Sequence, residues 1–180
     1  MRFVFNERKA AQLAAFFIRR GGGVMNYTKL LKLMYLADRA KLIEKGTPIT
    51  GDEMFSLPHG PVLSAVCNLV RLGPKEANSD WASFVEKAGR FDVRALSQSE
   101  EVDELSAAEI RIATTVFEEH GRMTWWQLRQ FTHTLPEYVD PEGSSEPIDL
   151  ERILREGGRS NEEIELSNQW AAVSTWLSQA

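Results

Sequence analysis

The pattern of apolar and polar positions predicts a mainly helical chain built around one buried helix at residues 27–45. At about 100° per residue, the apolar side chains of this segment spread around nearly its whole circumference. Only Lys29, Lys32 and Arg39 form a narrow polar stripe. A helix that is apolar on almost all sides is typical of a protein interior. We therefore expect the other elements to pack around this central helix.

Asp38 is an acidic residue on the apolar side of the central helix that also carries Leu31 and Met34. A buried carboxylate is costly unless hydrogen bonds or a cation compensate for its lost hydration. One interpretation is a structural anchor that holds a neighbouring loop. The alternative is an active-site or metal carboxylate that acts with Asp52 and His59, the acidic and histidine candidates nearby in sequence.

Strand and turn signals follow the central helix, which Gly46 is expected to end. Alternating side chains predict short strands at 53–57 and 91–96, which we expect to pair with each other. Between them, Pro61 is expected to open a helix, because its missing N–H would be unpaired there anyway. A further short helix is predicted over 79–89. The predicted fold class is α+β, predominantly helical, with a small two- or three-stranded sheet.

Two capping boxes, at Ser106–Glu109 and Thr124–Gln127, predict a pair of helices in the second half of the chain. The second of these helices carries Trp126, Arg129 and His133 on its polar side. Exposed tryptophans are frequent anchors of protein interfaces, so these three residues are candidate partner contacts. The alternative is that Trp126 packs beneath another segment.

Residues 136–147 are rich in Pro, Gly, Ser and acidic residues and divide a domain at 1–147 from an extension at 148–180. In this extension Asp149 is expected to cap a short helix, and a final helix follows. That helix has an apolar stripe of Leu166, Trp170, Val173 and Leu177, with Trp176 beside it. The extension either folds back on the core or offers Trp170 and Trp176 to a partner or a second subunit.

Composition narrows the class of protein. The chain has 180 residues, 43% hydrophobic and 26% charged, with a net charge of −5. No apolar run approaches the roughly 20 residues of a membrane span, and a signal peptide is not indicated, so we expect a cytoplasmic protein without membrane contact. The acidic balance gives no general attraction to nucleic acid. Cys67 is the single cysteine, so an internal disulfide is excluded.

Motifs for catalysis and cofactor binding are missing from the sequence. The histidines at 59, 120 and 133 lack metal-ligand spacing with one another and with Cys67. The glycines at 21–23 lack the Lys-Ser/Thr of a phosphate loop, and the sequence has no GxSxG elbow. We therefore expect a protein that is not an enzyme and has no cofactor and no metal.

Three ordered motifs, Lys29–Arg39, Gly46–Asp52 and Pro58–Val62, resemble those of the Panacea domain, also called the SocA-like antitoxin domain. Leu105–Glu109 and the later Thr132-His133 are similar to the second half of that family, so the resemblance covers roughly 6–138. His59 departs from the pattern, since an aromatic residue such as tyrosine is usual there. Tyr138 also departs, since one residue separates it from Pro136, whereas the family commonly has Pro followed directly by Trp. The motif residues are Lys29, Lys32, Tyr35, Asp38, Arg39, Gly51, Asp52, Pro58, His59, Gly60 and Pro61.

The resemblance implies an antitoxin of a bacterial or phage toxin–antitoxin pair, which neutralises its cognate toxin by direct binding. The family pairs with many unrelated toxins, so the implied partner is a toxin of unspecified class, encoded by the adjacent gene; a homodimer remains open. The motif residues are implied to be mainly architectural, with Asp38 holding the Pro58–Pro61 turn against the central helix.

Three other functions remain as alternatives. A proteolytic adaptor would use the same kind of binding surface to deliver a protein to an ATP-dependent protease. A DNA-binding regulator would use the helix pair at 106–135 as a helix-turn-helix, although acidic and basic residues balance there. A hydrolase would use Asp38, Asp52 and His59.

Overall fold

The segment at residues 27–45 forms the central helix of the fold, as the sequence pattern predicts. A computed structural model describes residues 1–76, 78–96 and 102–179. Helix α2 spans Tyr27–Lys45 and is buried through most of its length. The Asn26 side chain caps its start by accepting hydrogen bonds from the backbone N–H groups of Thr28 and Lys29. Gly46 ends the helix with left-handed backbone at φ 75°.

The other helices begin and end close to the residues that local capping signals predict, with the exceptions described below. Asn6, Ser106 and Thr124 each cap a helix through their side chains. Most of the other helices pack against α2, so the core surrounds it. Besides α2, the helices are α1 (Glu7–Arg20), α3 (Ser64–Leu72), α4 (Asp80–Phe84), α5 (Ala107–His120), α6 (Trp125–His133), α7 (Leu150–Glu156) and α8 (Asn161–Leu177).

Two small antiparallel sheets complete the fold. Their strands are β1 (Val24–Asn26), β2 (Met54–Leu57), β3 (Gly60–Leu63), β4 (Val85–Lys87), β5 (Asp92–Ala95) and β6 (Glu146–Pro147). One sheet has the order β1-β5-β4 and the other β3-β2-β6. The predicted pairing of 53–57 with 91–96 is therefore wrong, since β2 and β5 belong to different sheets. The predicted fold class is confirmed: the chain is α+β and predominantly helical.

The prediction that Pro61 opens a helix is wrong. Pro61 lies inside β3, which forms a hairpin with β2, and α3 begins only at Ser64. The carboxylate of Asp52 accepts hydrogen bonds from the backbone N–H groups of Ala65 and Val66, at 3.0 and 2.9 Å. A residue twelve positions before Ser64 thus satisfies the first N–H groups of α3, and a local cap is not required.

The helix predicted over 79–89 is also shorter than expected. α4 ends at Phe84, and Val85 already belongs to β4, which pairs with β5. Trp81 and Phe84, whose spacing predicted the helix, both lie in α4, and their side chains are buried in the core.

The C-terminal helices fold back on the end of α2. The Arg159 side chain, between α7 and α8, donates hydrogen bonds to the carbonyl oxygens of Ile43 and Glu44 in the last turn of α2. α8 then packs through a face that includes the buried Ile164 and Ala171. The division into a domain at 1–147 and an extension stays a prediction.

Candidate functional site

Asp38 holds the loop that follows α2. The side chain is fully buried, and its Oδ1 accepts hydrogen bonds from the backbone N–H groups of Ile49 and Thr50, each at 3.0 Å. The Thr50 hydroxyl donates to Oδ2. Burial raises the pKa of Asp38 to about 7. The hypothesis that Asp38 holds the Pro58–Pro61 turn is wrong, because the partners of its carboxylate lie in the preceding loop.

The other residues of the hydrolase alternative also have structural surroundings. Asp52 is buried and binds the start of α3, and burial raises its pKa. Gly51, with φ 72°, passes so close to the Val4 carbonyl that a side chain would collide with it. His59 is exposed at the tip of the β2–β3 turn. Both carboxylates of this set are thus engaged by backbone N–H groups rather than directed at a substrate.

The β2–β3 turn is held by two basic side chains from neighbouring helices. Lys32 of α2 is only 1% exposed, and its Nζ donates to the Pro61 carbonyl oxygen at 2.8 Å. Arg129 of α6 donates from Nη2 to the Pro58 carbonyl oxygen at 3.1 Å. The turn that carries the family motif is therefore fixed against α2 and α6, and Lys32 makes the contact that was expected of Asp38.

The loop after α6 completes this support. The Tyr138 hydroxyl donates to the Leu57 carbonyl oxygen at 3.1 Å. The His133 ring stacks on Tyr138 with centroids 4.4 Å apart. Gly60, with φ 92°, lies against His133, and a Cβ there would come within 2.9 Å of its ring. His133 thus packs against the turn and is partly buried there, so only part of its side chain is open to a partner.

A buried acidic residue that the sequence analysis missed, Glu137, ties the same loop to α2. Its carboxylate accepts hydrogen bonds from the Tyr35 hydroxyl at 2.8 Å and from Arg39 Nε at 2.6 Å. Burial raises the pKa of Tyr35 well above its ordinary value. In the first turn of α2, Lys29 donates to the Gly121 carbonyl oxygen at the end of α5. Motif residues of α2 therefore hold the second half of the chain in place.

Two adjacent tryptophans stand exposed beside this supported turn. Trp125 and Trp126 are 45% and 49% exposed and contact each other edge to face. The Arg129 guanidinium lies 5.1 Å from the centre of a Trp126 ring. The structure therefore brings Trp126 and Arg129 together at the surface, as their spacing on one helix face predicts.

Below the tryptophans lies a cavity of about 910 Å³, which we call the α6 cavity. It opens between the start of α2, the β2–β3 turn, α3 and the start of α6. Its lining residues are Asn26, Tyr27, Thr28, Leu31, Lys32, Leu57, Pro58, His59, Gly60, Val62, Cys67, Arg71, Phe91, Trp125, Trp126 and Arg129.

Comparison with known proteins identifies the family. The model of the family described as antitoxin SocA-like, Panacea domain, matches residues 30–137, more than half of the chain. The chain belongs to the SocA-like Panacea domain family. No curated protein and no solved structure matches it.

The Panacea match contains almost all of the site described above. It includes the β2–β3 turn, most residues of the α6 cavity and the exposed pair Trp125 and Trp126. Within residues 1–76, 78–96 and 102–179, no group of three or more His, Cys, Asp or Glu side chains is placed to hold a metal ion. No helix in this part of the chain is long and apolar enough to cross a membrane.

Helix α8 lies outside the Panacea match and presents its apolar stripe to solvent. Trp170 and Trp176 are 63% and 67% exposed, and small residues such as Ser167 and Ala171 face the core instead. The extension therefore folds back on the core through one face and leaves the other face uncovered in the monomer. The exposed large apolar residues of α8 are Leu166, Trp170, Val173, Trp176 and Leu177.

Proposed function

We propose that this Panacea-domain protein is an antitoxin that neutralises a toxin protein by binding it directly in the cytoplasm. The observation that carries the proposal is the exposed pair Trp125 and Trp126 inside the family-matched segment. Large exposed apolar groups beside a cavity are typical of interaction surfaces, and tryptophan is enriched among the residues that dominate binding energy. Membership of an antitoxin family supplies the class of partner.

The support beneath the tryptophans favours a preformed binding surface. Arg129 both contacts Trp126 and binds the Pro58 carbonyl oxygen, and Lys32 of α2 binds the Pro61 carbonyl oxygen of the same turn. A surface that is ordered before binding loses less conformational entropy when the partner arrives. We infer that the family motif residues act by holding this surface in its folded arrangement.

The stripe on α8 is proposed as a second toxin contact. It combines Trp170 and Trp176 with three exposed aliphatic side chains on one helix. Because it lies outside the family match, it is the part of the protein suited to a partner-specific contact. The surface within the family match and this stripe would together select one toxin.

The proposal is tested by growth of bacteria that express the adjacent open reading frame, with and without this protein. We expect the neighbouring product to arrest growth and the wild-type chain to restore it. A Trp125→Ala/Trp126→Ala double variant should lose most of the rescue, whereas Leu72→Ala, at an exposed apolar side chain outside the α6 cavity, should retain it. Arrest that persists beside soluble, folded wild-type protein would refute neutralisation of that product.

A second measurement separates neutralisation from delivery to a protease. The cellular level of the neighbouring product is followed by immunoblotting while growth is restored. A steady level supports direct neutralisation. A level that falls only in cells with an active ATP-dependent protease would favour the adaptor alternative.

A further inference from the structure

The α6 cavity is positively charged within an acidic protein. Lys32, Arg71 and Arg129 contribute to its lining. In the part of the chain that the structure describes, no aspartate or glutamate lines it. The whole chain carries a net charge of −5, so this local excess of positive charge is opposite in sign to the protein as a whole. A cavity of this kind attracts anionic groups.

Arg129 has hydrogen-bonding capacity left over. A guanidinium has five N–H donors, and Nη2 binds the Pro58 carbonyl oxygen. Its Nε is buried and has no hydrogen-bond partner among the described residues. Leaving a buried donor unpaired costs about 1–3 kcal/mol. A carboxylate bound in the cavity would satisfy guanidinium donors with charge-assisted hydrogen bonds.

Lys32 is the most deeply buried of the three basic groups. Its ammonium has three donors, and the Pro61 carbonyl oxygen is its one described partner. Burial is the main cause that lowers its pKa to about 7, and Arg129 nearby lowers it further, whereas the Cys67 thiol opposes the shift. An anion in the cavity would stabilise the charged form of Lys32.

The rest of the lining requires more than a simple anion. Leu31 and Val62 form apolar wall, and the half-exposed Trp125, Trp126 and Phe91 stand among the lining residues. Cavities of about 300–1,000 Å³ accommodate ligands of several connected groups. The lining therefore suits a ligand in which a carboxylate is flanked by apolar or aromatic groups.

We propose that the α6 cavity accepts an acidic segment of the toxin, with a carboxylate placed among Lys32, Arg71 and Arg129 and an apolar neighbour against the tryptophans. This inference rests on the proposed antitoxin function. A protein segment is favoured over a free small molecule because the tryptophans remain exposed and can continue the contact across the protein surface. Charge complementarity thus defines which toxin segment the antitoxin recognises.

The test measures the dissociation constant between the purified chain and the purified product of the adjacent open reading frame by isothermal titration calorimetry. Arg71→Gln and Arg129→Gln should each weaken binding about tenfold or more. Binding by the wild type should also weaken as salt is raised, and less steeply in the two variants. The matched control is Arg122→Gln, since Arg122 is exposed between α5 and α6 but does not line the cavity.

Arg129→Gln removes a contact to the β2–β3 turn, so its melting temperature is measured alongside. Arg71 makes no such contact to the turn, and its variant keeps the test decisive if Arg129→Gln unfolds. If both variants bind the product with the same dissociation constant as the wild type, the cavity proposal alone is overturned. A wild-type chain that does not bind the product at all would overturn the antitoxin proposal and this one with it.

Native mass spectrometry of the wild-type chain tests whether a small anionic molecule occupies the α6 cavity instead of a toxin segment. A small anionic molecule that copurifies with the wild type, is lost in Arg71→Gln and blocks toxin binding would overturn the assignment to a toxin segment. Absence of such a molecule, together with weakened toxin binding by the variants, supports it.

Discussion

Replacing Asp38 by alanine should destabilise the protein strongly, because the loop after α2 depends on this one carboxylate. The variant loses the acceptor of two backbone N–H groups, those of Ile49 and Thr50, and of the Thr50 hydroxyl. All three donors belong to buried residues. Because these donors are buried from solvent, loss of the carboxylate leaves them unpaired or detaches the loop from α2.

The magnitude follows from these contacts. Each buried donor left unpaired costs about 1–3 kcal/mol. The loss is partly offset because the carboxylate itself is costly to bury, as its pKa of about 7 indicates. We expect a net loss of about 3 kcal/mol in the free energy of unfolding. For a chain of this length that corresponds to a fall of about 6–12 °C in melting temperature.

Thermal unfolding at pH 7, followed by circular dichroism, measures this loss. Asp38→Asn retains an oxygen acceptor for the backbone N–H groups and should lose less stability than Asp38→Ala. Glu118→Ala removes an exposed carboxylate of α5 and serves as the control for loss of an acidic side chain. A melting temperature of Asp38→Ala within about 2 °C of the wild type would refute the anchor account. An unchanged melting temperature with lost neutralisation would make Asp38 a functional residue.

Three further predictions concern pH, the buried Glu137 and α8. Because the folded-state pKa of Asp38 lies near 7, above its ordinary value of 3.8, the folded state binds an extra proton between about pH 4 and 7. Urea unfolding should therefore show that the unfolding free energy of the wild type minus that of Asp38→Asn falls by up to about 1.4 kcal/mol per pH unit as pH rises through this window. A difference that does not change with pH would contradict this prediction. Glu137→Ala leaves the buried Tyr35 and the partly buried Arg39 without their shared acceptor and should lower the unfolding free energy by about 3–5 kcal/mol. A change within experimental error would show that the cluster is dispensable. A Trp170→Glu/Trp176→Glu variant should keep its unfolding free energy within about 1 kcal/mol, because both side chains are exposed, but lose growth rescue; full rescue would remove α8 from the toxin contact.

The parts of the fold that local sequence determines were predictable. The length of α2 follows from its apolar spacing together with Gly46 after it. The helices opened by Ser106 and Thr124 follow from capping boxes whose members lie three residues apart. These signals involve neighbours along the chain, so they do not depend on how distant segments meet.

Contacts between distant segments account for the wrong predictions. Asp52 supplies the cap of α3 from outside the helix, so Pro61 was free to join β3. β5 found its partners in β1 and β4 rather than in β2, a choice that alternating side chains alone do not encode. Glu137 became the shared acceptor of two α2 side chains, although nothing in its local sequence marks it as buried.

The candidate site was predicted in part. The pairing of Trp126 with Arg129 follows from their positions three residues apart on α6. The α6 cavity was missed, because its walls come from segments that are about 100 residues apart in sequence. The sequence analysis left undecided which face of α8 packs on the core. In the structure the small residues Ser167 and Ala171 lie on the packed face, and the large apolar residues lie on the exposed face.

The most direct test of the antitoxin account uses purified components and no protease. The inhibitory activity of the adjacent gene's product is assayed in a cell-free translation extract, or in an extract that contains its target, while the purified chain is added in increasing amounts. The account predicts that inhibition of the toxin is complete near equimolar antitoxin and is lost in the Trp125→Ala/Trp126→Ala variant. A toxin that stays fully active beside excess folded wild-type chain, and is removed only when an ATP-dependent protease is supplied, would contradict direct neutralisation.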